Sequence, residues 1–196
     1  MGDKSTGAKL PDSAYTTMPW RIREVTDDFH VHDVWRISTP GAGPDDFPAM
    51  HAAMRGTGGV NQQKGLVKLL FAIRWKLGAL LRLDNGPAGT SLATRLPAAL
   101  TATTTPAHAQ PPFTPLCELP TEAASEIVNR SVHAVMHLGW APSTAGADHE
   151  LRMTVLVKPN GRLGRAYLSL IGPLRHAVVY PALTRRWERA WRERSR

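Results

Sequence analysis

Four histidines stand at spacings that can bring two imidazoles together. His30 and His32 are two residues apart in a run that alternates apolar with polar residues, so on a strand both imidazoles project from one face. With Asp46 as a third ligand they can share a metal ion, but two solvated histidines are the simpler interpretation. His133 and His137 are four apart, which suits one zinc on a helix, whereas the local Val and Met content favours a strand, on which they stand roughly 13 Å apart. The sequence therefore predicts no metal site.

A second group of chemically capable residues lies near the C-terminus, namely Arg165, Tyr167, Arg175 and His176. Arginine forks match carboxylates and phosphates, so this group can hold an anionic head group at one end of a cavity. Arg165 and His176 are eleven residues apart and share one side of a helix, with Arg175 one residue away. A solvated basic face explains the same residues, and Tyr167, on the apolar stripe, is more typical of packing than of proton donation.

The single cysteine, Cys117, excludes an intramolecular disulfide framework and fits a small buried hydrophobic residue better than a nucleophile. The net charge of +8 raises nucleic acid or an anionic membrane as partners. The charge is uneven, because residues 1–150 hold 13 Lys and Arg against 14 Asp and Glu, whereas residues 151–196 hold 11 against 2. The basic character is thus a local feature of the C-terminal part.

The last basic segment places two tryptophans on one side of a predicted helix. Two interpretations stay open: the segment binds phosphates or a lipid surface, or the tryptophans dock the helix end on the domain while the arginines favour the negative end of the helix dipole. The candidate surface-binding residues are Arg185, Arg186, Trp187, Arg189, Trp191 and Arg192.

Hydrophobic periodicity predicts the elements that position these residues. We expect strands over 28–37, near 93–99, and over 113–119, 127–138 and 150–157, and helices over 45–55 and 64–83. In the first strand the expected common face holds Phe29, Val31, Trp35 and Ile37, with Asp33 interrupting it. In the last strand one face is apolar, and Arg152, Thr154 and Lys158 form a largely wet face.

The final 35 residues predict a long helical element that Pro173 and Pro181 kink or divide. Residues 1–17 are predicted to be a disordered leader, 18–186 one domain, and 187–196 a basic helix end or tail. No stretch has the length and composition of a membrane span or signal peptide, so we expect a cytoplasmic protein. Peripheral contact with a membrane surface is compatible with this expectation.

Three stretches, residues 126–140, 155–167 and 171–176, resemble a bacterial family of unknown function, the domain of unknown function 2867, which is common in actinobacteria. The resemblance covers about residues 25–186. It implies an α+β helix-grip fold of the SRPBCC or START-like superfamily, in which a curved antiparallel sheet wraps around a long C-terminal helix, here with two helices after the first strand. Related domains follow NAD-binding domains, but this chain has no Gly-x-Gly-x-x-Gly segment, so no cofactor is expected. The family offers no established catalytic residues.

On such a scaffold we expect an apolar or amphipathic small molecule in a cavity between the sheet and the C-terminal helix. One alternative is a cyclase-like or dehydratase-like enzyme, which needs a general acid or base in the cavity, and another is binding to a membrane surface or nucleic acid through the basic C-terminus. No sequence motif favours nucleic acid. Arg175 or His176 is expected to give polar specificity, and the expected cavity wall is Met136, Leu138, Met153, Val155, Tyr167, Ile171 and Leu174.

Overall fold

The computed structural model describes residues 7–57, 89–101, 103, 113–129, 131–143, 146 and 148–194, and over these residues the chain is α+β. The elements in chain order are β1 (Ala8–Leu10), α1 (Ser13–Thr16), a 3-10 helix (Arg21–Val25), β2 (His30–Ile37), α2 (Phe47–Gly56), a 3-10 helix (Leu92–Thr94), α3 (Ala98–Thr101), β3 (Thr114–Glu118), β4 (Glu122–Val128), β5 (Val132–Pro142), β6 (His149–Pro159), α4 (Gly161–Leu174), a π-helical turn (Arg175–Val179) and α5 (Tyr180–Glu193).

The described strands form one antiparallel sheet in the order β1-β2-β6-β5-β4-β3. Strands β3 to β6 pair with their neighbours in sequence, whereas β2, from the N-terminal part, pairs with β6. The predicted α+β class with an antiparallel sheet and a C-terminal helix is confirmed, and the arrangement is consistent with a helix-grip. The predicted helix over 64–83 lies outside the described residues.

One predicted strand, over 127–138, is in fact parts of two strands joined by a tight turn. Asn129 Oδ1 accepts hydrogen bonds from the backbone N–H groups of Ser131 and Val132, at 3.0 and 2.9 Å, and from the Ser131 hydroxyl. This side-chain turn ends β4 and starts β5, because an asparagine amide can replace the backbone as acceptor. Three consecutive polar residues between Val128 and Val132, beginning with Asn129, were the signal of this turn in the sequence.

One face of the sheet, called the helix face from here on, packs against α2, α4 and α5. From β5 and β6 it presents Leu138, Trp140, Leu151 and Met153, which pack with α2 and α5, while Leu168 of α4 packs farther along. Met136 and Leu138, which the sequence analysis placed in a wall between sheet and helix, lie on this face. The core between sheet and helices is therefore the one that the alternation indicated.

The other side of the sheet, called the opposite face, is covered as well. Tyr15, Trp20 and Ile22 from the N-terminal part and Leu92 and Leu100 pack over it. The expectation of a largely wet face on β6 is wrong, because two of its members, Arg152 and Thr154, are only 7% and 1% exposed.

The buried charges on the opposite face are paired. Arg152 Nε lies 3.0 Å from Glu150 Oε1, and its remaining donors reach the carbonyl oxygens of Ala14 and Pro142. A polar side chain can thus lie in the interior when its hydrogen bonds are satisfied there. Sequence alternation distinguishes polar from apolar sides but does not show what covers the polar side.

Strand β2 contains a bulge that reverses its alternation. Val31 pairs with Leu156 and Asp33 with Val155, so His32 is the extra residue. The predicted common face of this strand is therefore wrong: Phe29 and Val31 pack on the opposite face, and Trp35 and Ile37 on the helix face. The bulge brings Asp33 onto the helix face.

The ends of the domain also differ from the predicted boundaries. The leader predicted over 1–17 is wrong from residue 8 onward, since Ala8–Leu10 pairs with β2 and Tyr15 is buried. The strand predicted near 93–99 is wrong as well, because the structure has a 3-10 helix at Leu92–Thr94 and α3 at Ala98–Thr101. At the other end, α5 continues to Glu193 with its tryptophans buried, so 187–196 is no separate tail over its described residues.

The C-terminal helical element is divided, as its prolines predicted. Pro173 lies in the last turn of α4, the π-helical turn follows, and Pro181 lies at the start of α5, where a missing N–H costs little. Within the described ranges, no helix has the length and apolar character needed to span a membrane.

Candidate functional site

Two local irregularities of the backbone meet on the helix face. The bulge at His32 of β2 lies against the π-helical turn Arg175–Val179, which separates α4 from α5. Both kinds of irregularity are over-represented at functional sites, because they re-aim side chains that a regular element would send elsewhere. The residues that they bring together form a polar cluster inside an apolar core.

Asp33 is the centre of this cluster and is fully buried. Its Oδ1 lies 2.5 Å from His176 Nε2 and 3.1 Å from Lys9 Nζ, which comes from β1. Among the described residues its Oδ2 has no hydrogen-bond partner, and His32 Nε2 lies 3.8 Å away. A buried carboxylate requires compensating charge, which Lys9 supplies, while the imidazole of His176 satisfies a hydrogen bond.

Three aromatic rings lie near the imidazole of His176. The ring of His176 lies 5.8 Å from that of Tyr180 and 6.4 Å from those of Trp35 and His32. Burial raises the pKa of the Tyr180 hydroxyl, which therefore stays protonated. Burial, with the nearby positive charge of Arg175, lowers the pKa of His32, so its imidazole is mainly neutral at pH 7.

Arg175 has two buried guanidinium nitrogens that lack an acceptor within the described part of the chain. Its Nε and Nη2 are both buried and make no hydrogen bond to any residue that the structure describes, and its Cζ lies 5.9 Å from the centre of the Tyr180 ring. These two nitrogens share one edge of the planar fork, the edge that donates two parallel hydrogen bonds to the two oxygens of a carboxylate. The indole Nε1 of Trp35 is a third buried donor without an acceptor in the described ranges.

The cluster carries one positive charge that no carboxylate of the cluster balances. Asp33 is balanced by Lys9, so Arg175 is a further positive charge with its donors buried. Buried donors without acceptors cost about 1–3 kcal/mol each. An acceptor with one negative charge would remove both the excess charge and the unmet hydrogen bonds.

An apolar row continues from Asp33 across the sheet. Val155 of β6 is the direct partner of Asp33, and Met136 of β5 is the partner of Val155. Both side chains are only partly buried, and they pack at the edges of the two helix-face clusters. A polar head group at Arg175 would thus have apolar side chains beside it.

The other predicted wall residues fall into two groups. Leu138 and Met153, 5% and 1% exposed, are closed into the core with α2 and α5. The side chains of Tyr167, Ile171 and Leu174 lie outside the described part of the structure. Arg165 is exposed on α4, so it does not join Arg175 and His176 in a buried cluster.

The tryptophans of the basic segment face the protein. Trp187 and Trp191 are 7% and 0% exposed, and Trp191 Nε1 donates to the carbonyl of Pro40 at 3.1 Å. The tryptophans therefore dock the helix on the domain, and binding of phosphates or a lipid surface by the segment stays a prediction. Of the arginines, Arg186 is half-buried, and the exposed ones are Arg185, Arg189 and Arg192.

The remaining candidates have structural surroundings. Cys117 is buried, and burial raises the pKa of its thiol to about 12, so it stays protonated. Asp46 accepts from the N–H of Gly43 at 2.8 Å, and His30 is exposed. Where the structure is described, no three His, Cys, Asp or Glu side chains are grouped to hold a metal ion.

Comparison with family models identifies relatives of the chain. Residues 25–182 match the model of the family described as "Protein of unknown function (DUF2867)". The chain belongs to this family. No curated protein and no solved structure matches the DUF2867 chain.

Sequence reasoning identified Arg175 and His176 of the DUF2867 chain as ligand-binding candidates but missed their partners. Asp33 appeared only as an interruption of an apolar face, and Lys9 lay in the predicted leader. A charged residue inside an otherwise apolar strand was the available signal, because such a residue is buried only with a partner.

Proposed function

We propose that this DUF2867 chain binds an amphipathic carboxylic acid between the helix face of its sheet and its C-terminal helical element. The carboxylate is held by the Nε and Nη2 edge of Arg175, and the apolar chain runs along Val155 and Met136. The observation that carries the proposal is the pair of buried, unpaired nitrogens of Arg175 beside a balanced Asp33–Lys9 pair.

The same proposal includes the finer fold assignment. We infer a helix-grip of the SRPBCC or START-like superfamily, with a sheet that curves around the C-terminal helix. The bulge in β2 and the register shift between Pro115 and Cys117 of β3 support curvature, because bulges bend a strand and increase its twist. The actinobacterial origin and the cytoplasmic location stay predictions, as does contact of exposed α5 arginines with an anionic surface.

Binding of a fluorescent fatty acid tests the proposed ligand class. We expect cis-parinaric acid to bind with a rise in fluorescence, and Arg175→Gln to weaken its affinity about 10- to 100-fold, the value of a charge-assisted hydrogen-bond pair. The exposed Arg165→Gln is the matched control and should bind as the wild type does.

The affinity for the methyl ester of the same acid distinguishes the contribution of the charged head group from that of the apolar chain. The wild type should bind the ester as weakly as Arg175→Gln binds the acid, because the ester carries no charge. Equal wild-type affinity for acid and ester, or unchanged affinity in Arg175→Gln, would show that Arg175 does not select a carboxylate.

A further inference from the structure

The cluster holds more than an anion-binding edge, because His176 is oriented by a buried carboxylate. Its Nε2 lies 2.5 Å from Asp33 Oδ1. With the Nε2–H donated to the carboxylate, Nδ1 is the unprotonated nitrogen of the neutral ring. Nδ1 makes no hydrogen bond among the described residues, and the His176 side chain is 37% exposed, so Nδ1 is open to a ligand.

We propose that Asp33 and His176 form a proton-transfer pair acting on an aliphatic 2-oxo acid, which rests on the binding site proposed above. His176 Nδ1 is the base, Asp33 is a positioning residue that fixes the imidazole tautomer, and the Arg175 edge holds the carboxylate. The indole N–H of Trp35, buried without an acceptor, donates to the neighbouring keto oxygen.

The step balances without a further reactant. The C3–H bond of the 2-oxo acid breaks, and its proton goes to His176 Nδ1. The electron pair forms the C2–C3 double bond, and the negative charge moves to the keto oxygen, where Trp35 and the nearby guanidinium stabilise it. Reversal returns a proton to C3, or the enolate oxygen takes it to give the enol, so the reaction class is keto–enol tautomerisation.

The surroundings suit a base of this kind. A carboxylate that is fully buried cannot exchange its imidazole partner for water, so the orientation of His176 is fixed before a ligand arrives. Lys9 balances the charge of Asp33 from the edge strand, and this leaves Arg175 for the substrate. Arg175, which binds the carboxylate, and His176, which is the base, are adjacent residues of the π-helical turn, so this turn positions both groups.

Hydrogen exchange at C3 of 2-oxodecanoic acid in D2O tests the proposal. We expect the wild type to accelerate loss of the C3 proton signal in NMR above the rate in buffer, and His176→Gln to lower that rate about 100-fold. Asp33→Asn should lower it about 10-fold or more, with 2-oxodecanoic acid still displacing cis-parinaric acid as in the wild type. His30→Gln is the matched control, because His30 is an exposed histidine of β2, the strand that carries Asp33, and its substitution should leave the rate unchanged.

The outcomes separate the two proposals. If 2-oxodecanoic acid binds through Arg175 but its exchange is not accelerated, or exchange is unchanged in His176→Gln, the proton-transfer pair is wrong and the binding site stands. If the acid does not bind at all, both proposals fail. Should Asp33→Asn not fold, shown by its circular dichroism, the partly exposed His176→Gln decides the question.

Discussion

Gly164 shows how one residue sets the position of a whole helix. A Cβ built at Gly164 would lie 2.0 Å from the carbonyl oxygen of Ser131, at the turn between β4 and β5. The first turn of α4 therefore touches the backbone of the sheet, and only a residue without a side chain allows that approach. The start of the C-terminal helical element, and hence the place of Arg175, depends on this contact.

Substitution of glycine in two helices tests this contact. We expect Gly164→Ala to destabilise the fold by about 2 kcal/mol or more, because backbone must move to admit the methyl group. Gly56→Ala, at the end of α2 where a Cβ meets nothing within 4 Å, should be neutral or stabilise by up to about 1 kcal/mol. Urea denaturation measures both, and equal effects would mean that α4 does not depend on the close approach.

At the scale of elements, α5 combines a docked face with an exposed basic face. Its buried side includes Glu188, whose Oε1 accepts from the Ser38 N–H at 3.2 Å, and Trp191, whose ring centre lies 6.0 Å from that of Trp140. Arg194 stacks on Trp191 and donates to its carbonyl, which suits a cation at a helix C-terminus. The helix is thus an integral part of the core.

The two faces of α5 should respond differently to substitution. We expect Trp191→Ala to lower the free energy of unfolding by about 3–5 kcal/mol, because the ring is completely buried. The triple variant Arg185→Gln, Arg189→Gln and Arg192→Gln should change it by less than about 1 kcal/mol, since those side chains are exposed. Chemical denaturation checks both, and a large loss in the triple variant would show that the arginines contribute to folding.

At the scale of the whole molecule, two buried glutamates attach to the sheet the cover of its opposite face, which consists of the N-terminal part and the segment of Leu92 and Leu100. Glu122 lies 2.9 Å from His137 Nε2 and accepts from the N–H of Arg21, and Glu126 lies 2.7 Å from His133 Nε2 and accepts from the N–H of Leu92. Arg21 and Leu92 each begin a 3-10 helix of the cover. Each glutamate thus holds one covering segment through the first N–H of its helix.

This arrangement predicts that stability falls with decreasing pH. Burial lowers the pKa of His137, so below about 6.5 the unfolded chain gains a proton that the folded chain resists. Burial alone would raise the pKa of Glu126, but its hydrogen bonds from His133, Ser91 and Leu92 lower it overall. Its contribution is therefore present above the unfolded value of about 4.3 and is lost as pH falls through the lower folded value.

Urea denaturation between pH 8 and pH 4 measures this dependence. We expect a constant free energy of unfolding above pH 7, a decline below about 6.5 and a steeper one below about 4.5. His137→Gln should flatten the first decline, and the exposed His30→Gln should not. A stability that rises towards pH 5 would contradict the buried neutral state of His137.

The sequence by itself determined the features that depend on neighbours along the chain. Alternation predicted β6 and the position of Met136 and Leu138 on the side of β5 that faces the helices, and the prolines predicted the division of the C-terminal helical element. It also indicated Arg175 and His176, because two polar residues beside an apolar helical stripe are visible in the spacing. These features follow from local periodicity and from the backbone chemistry of proline.

Only the tertiary structure decided what covers each face and which residues meet. The bulge at His32 turns Asp33 towards the helix face, and the fold then joins it to His176, 143 residues away. The N-terminal segment, with no strong pattern of its own, packs its aromatic rings on the buried histidines of β5. The physical reason is that burial and charge pairing depend on packing between distant segments, which the period of one element does not contain.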